Sequence, residues 1–117
     1  DYYGIIFRSD TNQSHYYLFE VITNVRTEYV FSRFDTGLWY TIASGAAPFL
    51  NSGLGKNNTV TITASNNMFT FSINHKIVKN AVTDPTRAPL RSGQIGLYVE
   101  DQGAEIAFSH LYVVSYK

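Results

Sequence analysis

Short runs of β-branched and aromatic residues, with apolar side chains at every second position and Gly, Asn, Asp, Ser or Pro at their ends, recur along the whole chain. That alternation is the period of a half-buried strand, because successive side chains point to opposite faces of a sheet. It predicts strands over residues 2–8, 15–22, 28–34, 38–43, 59–64, 68–73, 76–81, 94–100 and 105–116. No stretch carries a helical period. Strands of this length, separated by close-spaced turn signals, make an antiparallel sandwich of two sheets. The expected fold class is therefore all-β, and 117 residues suit one domain, 1–117, that buries roughly two-thirds of its unfolded surface.

Parity assigns the faces. Tyr17, Phe19 and Val21 share one side of their strand, as do Val60 with Ile62, Phe69 with Phe71 and Ile73, and Ile95 with Leu97 and Val99; these are the expected core. The alternate positions are more polar: Tyr16, Leu18 and Glu20; Thr59, Thr61 and Thr63; Thr70 and Ser72; Gln94, Gly96, Tyr98 and Glu100. They are expected to face away from it. In the last strand Ile106 and Phe108 keep one parity and Leu111 and Val113 the other, which predicts a bulge at Ser109-His110. Asp35-Thr36-Gly37, Ser65-Asn66-Asn67 and Asn74-His75 read as hairpin turns, and segments 44–58 and 83–92 as the long loops.

Composition narrows the partners. Nine Lys plus Arg balance nine Asp plus Glu and neither sign gathers into a run, so the footprint of a nucleic-acid or anionic-membrane binder is missing. Without cysteine there is no disulfide, thiolate metal site or thiol nucleophile. No apolar run approaches the roughly 20 residues that span a bilayer, so membrane insertion is not expected, and Asp1-Tyr2-Tyr3 lacks the regions of a signal peptide.

Several segments resemble a known superfamily when taken in order. They are Tyr3-Gly4-Ile5-Ile6-Phe7-Arg8, Tyr16-Tyr17-Leu18-Phe19-Glu20-Val21, Gly37-Leu38-Trp39 and Asn58-Thr59-Val60-Thr61-Ile62. Phe69-Thr70-Phe71-Ser72-Ile73-Asn74, Gly93-Gln94-Ile95-Gly96-Leu97-Tyr98-Val99 and Ala107-Phe108-Ser109-His110-Leu111-Tyr112-Val113 complete the series. The chain is similar to the concanavalin A-like lectin/glucanase superfamily, in particular the laminin G-like jelly rolls of bacterial surface proteins and of 3-keto-disaccharide hydrolase-type domains. The resemblance implies a concanavalin A-like jelly roll and a secreted or cell-surface setting. Relatives usually carry an opening strand ahead of Tyr-x-Gly-x-x-Phe-Arg, so this chain looks N-terminally shortened. An edge beside the last strand is then expected to pair with another chain, a separate N-terminal segment or a loop. Where relatives have an Asn-Gly turn this chain has Asn74-His75.

Glycoside hydrolysis requires two flanking carboxyl groups. The glucanase branch carries Glu-x-Asp-x-x-Glu or Glu-x-Asp-x-x-x-Glu on one strand, and no such run occurs here. No catalytic residue is assigned. The acidic cluster Glu100-Asp101-Gln102-Gly103-Ala104-Glu105 reads as a solvated hairpin loop, with a calcium site completed by another loop as the alternative. No other cofactor and no metal ligand set is expected: Gly53-Leu54-Gly55-Lys56-Asn57 is not a P-loop, and His15, His75 and His110 have no second histidine at ligand spacing. What remains is a polar-aromatic face with Arg8, Tyr16, Glu20, Tyr98 and Glu100, neighboured by Arg33 and Trp39 and bordered by loop 44–58. Aromatic planes can stack on sugar C–H faces while charged groups hydrogen-bond hydroxyls. The same residues could instead be cross-strand pairs, with Arg8 and Arg33 bridging to Glu20 and Glu28 and Trp39 anchored at the core edge. The reading is a non-catalytic binding or interaction module for a glycan or protein ligand, carbohydrate first among the ligand classes. The alternatives are a glycan-processing enzyme domain and a structural spacer or sensor ectodomain.

Overall fold

The structure, a computed structural model, describes residues 2–23, 26–51 and 56–99. Eight strands follow one another: β1 (Tyr2–Ser9), β2 (His15–Thr23), β3 (Thr27–Asp35), β4 (Leu38–Ala46), β5 (Val60–Ser65), β6 (Met68–Ile73), β7 (Lys76–Thr83) and β8 (Gln94–Val99). They form two antiparallel sheets, one ordered β4-β3-β2-β1-β8 and the other β5-β6-β7, which makes the chain an all-β sandwich. The ninth expected strand, its bulge at Ser109-His110 and the edge beside it lie outside the described residues.

The core is aromatic. Phe19 and Phe71, from opposite sheets, stack with ring centroids 4.3 Å apart and planes 6° from parallel. Phe31 meets Phe71 at 4.6 Å and Phe69 at 5.3 Å, and Tyr17 meets Phe69 edge-on at 5.0 Å. Parity along β2 and β6 accounts for Tyr17, Phe19, Val21, Phe69, Phe71 and Ile73, all buried; Phe7, Tyr29 and Phe31 join them from β1 and β3. Val60 and Ile62 pack against this cluster half-buried.

Strand β8 corrects the expected core. Leu97 aligns with Ile5, which itself aligns with Phe19, so the parity is the inner one. Yet Ile95, Leu97 and Val99 are 42%, 48% and 42% exposed. The reason is cover: β8 is the outermost described strand of a five-stranded sheet that faces only three described strands.

Two hairpin loops, Thr36-Gly37 and Asn74-His75, place both residues in the left-handed region, at φ 43° and 88° and at φ 53° and 67°. Two-residue loops need this because their backbone twist then matches that of the strands they join. A Cβ in this region costs roughly 1–2 kcal/mol. Replacing His75 with Gly is expected to raise the unfolding free energy by about 0.5–1 kcal/mol, after the extra freedom glycine gains when unfolded. Urea denaturation measures it; a lower stability for the variant would show that His75 makes contacts worth more than its backbone strain.

Candidate functional site

The outward face of the five-stranded sheet is laid out by register. Glu20 on β2 aligns with Gly4 on β1, which aligns with Tyr98 on β8; Leu18 aligns with Ile6 and Ser32, and Ser32 with Thr41. Tyr16 aligns with Phe34, and Phe34 with Trp39. The Thr36-Gly37 turn sets that last pair, since it makes Asp35 face Leu38 and therefore Phe34 face Trp39.

These three rings form one cluster. Tyr16 and Phe34 stack at 4.9 Å, Phe34 and Trp39 meet at 4.8 Å, and Tyr16 and Trp39 meet edge-on at 5.9 Å. Tyr16 is buried beneath its neighbours, whereas Trp39 remains 50% exposed. Trp39, read as a neighbour of the face or alternatively as an anchor at the core edge, is thus a half-exposed indole held on an aromatic base. Burial also raises the Tyr16 hydroxyl above its ordinary titration range. Along β2 the face is less open than alternation implies: Leu18, flanked by Ile6 and Ser32, is 3% exposed.

The two arginines expected on this face are both elsewhere. At Arg8 the backbone turns into the left-handed region, φ 53°, where the β1–β8 register shifts. This reverses the side chain. Its guanidinium lies 5.1 Å from the Phe69 ring centre and donates to the carbonyls of Asn66 and Leu90, the latter at 2.9 Å. Arg33 shares the inward parity of Phe31 and aligns with Tyr17. Buried there, its Nη1 donates to Asp84 Oδ2 at 2.7 Å, and its Nε to Asp35 Oδ2 at 2.9 Å. In place of the expected bridges to Glu20 and Glu28, Arg33 bridges to Asp84 and Asp35 and Arg8 donates to backbone carbonyls.

Glu20 sits half-buried on the outward face, separated from Tyr98 by Gly4. A Cβ at Gly4 would lie 2.1 Å from the Phe19 carbonyl oxygen, so no side chain can stand between them. Next to Gly96, the shifted register of β1 and β8 leaves a small cavity of about 110 Å³ lined in part by Ile6, Ser9, Gln13 and Gln94. Glu100 and the acidic cluster after it lie outside the described residues. Among the described residues no group of three His, Cys, Asp or Glu side chains could hold a metal ion.

The expected loop 44–58 starts later, because Ser44, Gly45 and Ala46 continue β4 in register with β3, and it only partly borders the face. Gly45, Ala46 and Pro48 line an open depression of about 510 Å³ with Arg26, Thr27 and Glu28, at the end of the face away from Trp39. Beyond them the loop turns to the sandwich end. There Asn58 Oδ1 accepts from the Asn51 N–H at 2.7 Å and the Asn74 amide at 3.0 Å, and Asn74 also donates to the Phe49 carbonyl at 2.6 Å. Those amides close the fold.

No protein-family model matches the chain, and no curated protein matches it. Among solved structures it is similar to the carbohydrate binding module CBM66 from Bacillus subtilis, with a TM-score of 0.68 and 24% sequence identity. The two share a β-sandwich fold. The match covers 82% of this chain and 55% of the other, so the chain spans about half the length of that structure. Phe34 is the residue of the aromatic cluster that the sequence reading passed over. Its signal was available, because a two-residue turn at Thr36-Gly37 forces Phe34 opposite Trp39.

Proposed function

We propose that the chain is a non-catalytic carbohydrate-binding module whose sugar stacks on Trp39, with Phe34 and Tyr16 as the rigid base. The observation that carries this is the half-exposed indole fixed on two rings at 4.8 and 5.9 Å. A ring held in place loses little freedom on binding, so more of the stacking energy is retained as affinity. Thr41, exposed on the neighbouring row, offers a hydroxyl to the sugar's polar edge. The likeness of fold to CBM66 supports the same ligand class, and the order of strand motifs supports a concanavalin A-like, laminin G-like jelly roll at the cell surface or outside it. The missing Glu-x-Asp-x-x-Glu run supports a module without hydrolase chemistry.

Affinity for a small sugar on so open a surface is expected on the order of 0.1–1 mM. Trp39→Ala is expected to weaken glycan binding about 10-fold or more, the scale of removing an aromatic hot spot. Ile77→Ala, an equally exposed apolar truncation on β7, should leave it unchanged. Calorimetric titration of both variants against the wild type decides. Equal losses in the two variants, or none in Trp39→Ala, would remove Trp39 from the site.

A further inference from the structure

We infer that the glycan seated on Trp39 is uncharged and that acidic polysaccharides are excluded; this rests on reading the outward face as a glycan site. The arginines expected on this face are committed elsewhere. Of the residues expected there, Arg8 and Arg33 were the two able to pair with a carboxylate or sulfate. Arg8 is turned inward onto Phe69 and two backbone carbonyls, and Arg33 is held by Asp84 and Asp35.

Among the described residues whose register puts them on this face, the charged side chains are Glu20 and Glu28, and there is no Lys or Arg. Around Trp39 the face offers aromatic rings and the hydroxyl of Thr41. Those groups suit sugar C–H faces and hydroxyls. An anion brought against them would lose water without gaining a cation from the strand residues of this face. Arg26, exposed ahead of β3, is near Glu28, whose position is six residues from Phe34, or roughly 20 Å along an extended strand. It is too far to neutralise a group on Trp39.

Binding of the full chain to three neutral polymers, a β-glucan, dextran and galactomannan, is compared with binding to polygalacturonate, alginate and heparin, each at 50 and 500 mM NaCl. The expected result is binding to at least one neutral polymer, weakened about 10-fold or more by Trp39→Ala and changed less than 2-fold by salt. None of the acidic polymers should bind. Binding to an acidic polymer that falls with salt and with Trp39→Ala would overturn the inference while preserving the glycan site. Binding to neither class would instead overturn the glycan reading itself, and this inference with it.

Discussion

Asp84→Ala is expected to lower the unfolding free energy by about 3–5 kcal/mol, because it removes the buried one of the two carboxylates that hold the Arg33 guanidinium. Asp84 is 2% exposed and gathers three elements at once. Its Oδ2 accepts from Tyr17 at 2.6 Å and from Arg33 at 2.7 Å, and its Oδ1 from the Thr86 N–H at 2.8 Å. The Tyr17 hydroxyl in turn accepts from the Leu90 N–H at 3.0 Å, and Arg33 also donates to the Ala88 carbonyl at 2.8 Å. This network fastens loop 84–90 to β2 and β3. Urea unfolding of the variant should show the loss, and the double change Arg33→Met with Asp84→Leu should recover part of it, since neither charge is then left alone. A single variant within 1 kcal/mol of wild type would mean that water or a rearranged loop repairs the site.

The same network sets a pH dependence. Burial raises the Asp84 carboxyl, but donors from Tyr17, Thr86 and Arg33 outweigh it and hold the group below the usual carboxylate range. A carboxyl depressed in the folded state contributes its stability above its unfolded value of about 3.9. That contribution is lost as pH falls from there through the folded value. Tyr17 behaves oppositely: burial and then its hydrogen bond to Asp84 push its hydroxyl up to about 12. A raised acid favours the protonated folded state, so this contribution is present below about pH 10 and lost as pH rises towards the folded value. In Asp84→Ala the acid-side loss should flatten.

Phe71→Ala is expected to cost a further large amount, about 3–5 kcal/mol, by opening a cavity at the centre of the sandwich. Phe71 is fully buried, stacks on Phe19 and contacts Phe31 and Phe7, so three rings from three strands lose a shared partner. Phe71→Leu should cost less, as it keeps more of the volume. Thermal unfolding with the two variants side by side checks the order. Equal, small effects would show that the neighbouring rings collapse into the space.

Alternation made the strands and the inner face of β2 and β6 legible, since a period of two leaves little freedom in which residues meet the opposite sheet. It could not say how far that sheet extends. Ile95, Leu97 and Val99 have the right parity and lack the cover. Arg8 defeated the pattern for a different reason: a non-glycine residue in the left-handed region reverses the side chain, and nothing in Phe7-Arg8-Ser9 announces it. Arg33 was legible in part, because it shares parity with Phe31 and so points inward. Its partner Asp84, 51 residues later in an irregular loop, was not. Trp39 lay between: its place beside the face was legible with a core-edge anchor as the alternative, whereas the aromatic base under it follows only from the hairpin register that sets Phe34 opposite.

The chain contains one tryptophan, so its indole N–H gives a single, unambiguous resonance at the proposed stacking surface. Titration of the labelled protein with a neutral glycan that it binds, followed by NMR, tests the central claim directly. That resonance is expected to shift saturably, with the dissociation constant found by calorimetry for the same glycan. Saturable binding that leaves the Trp39 indole resonance unmoved would contradict it.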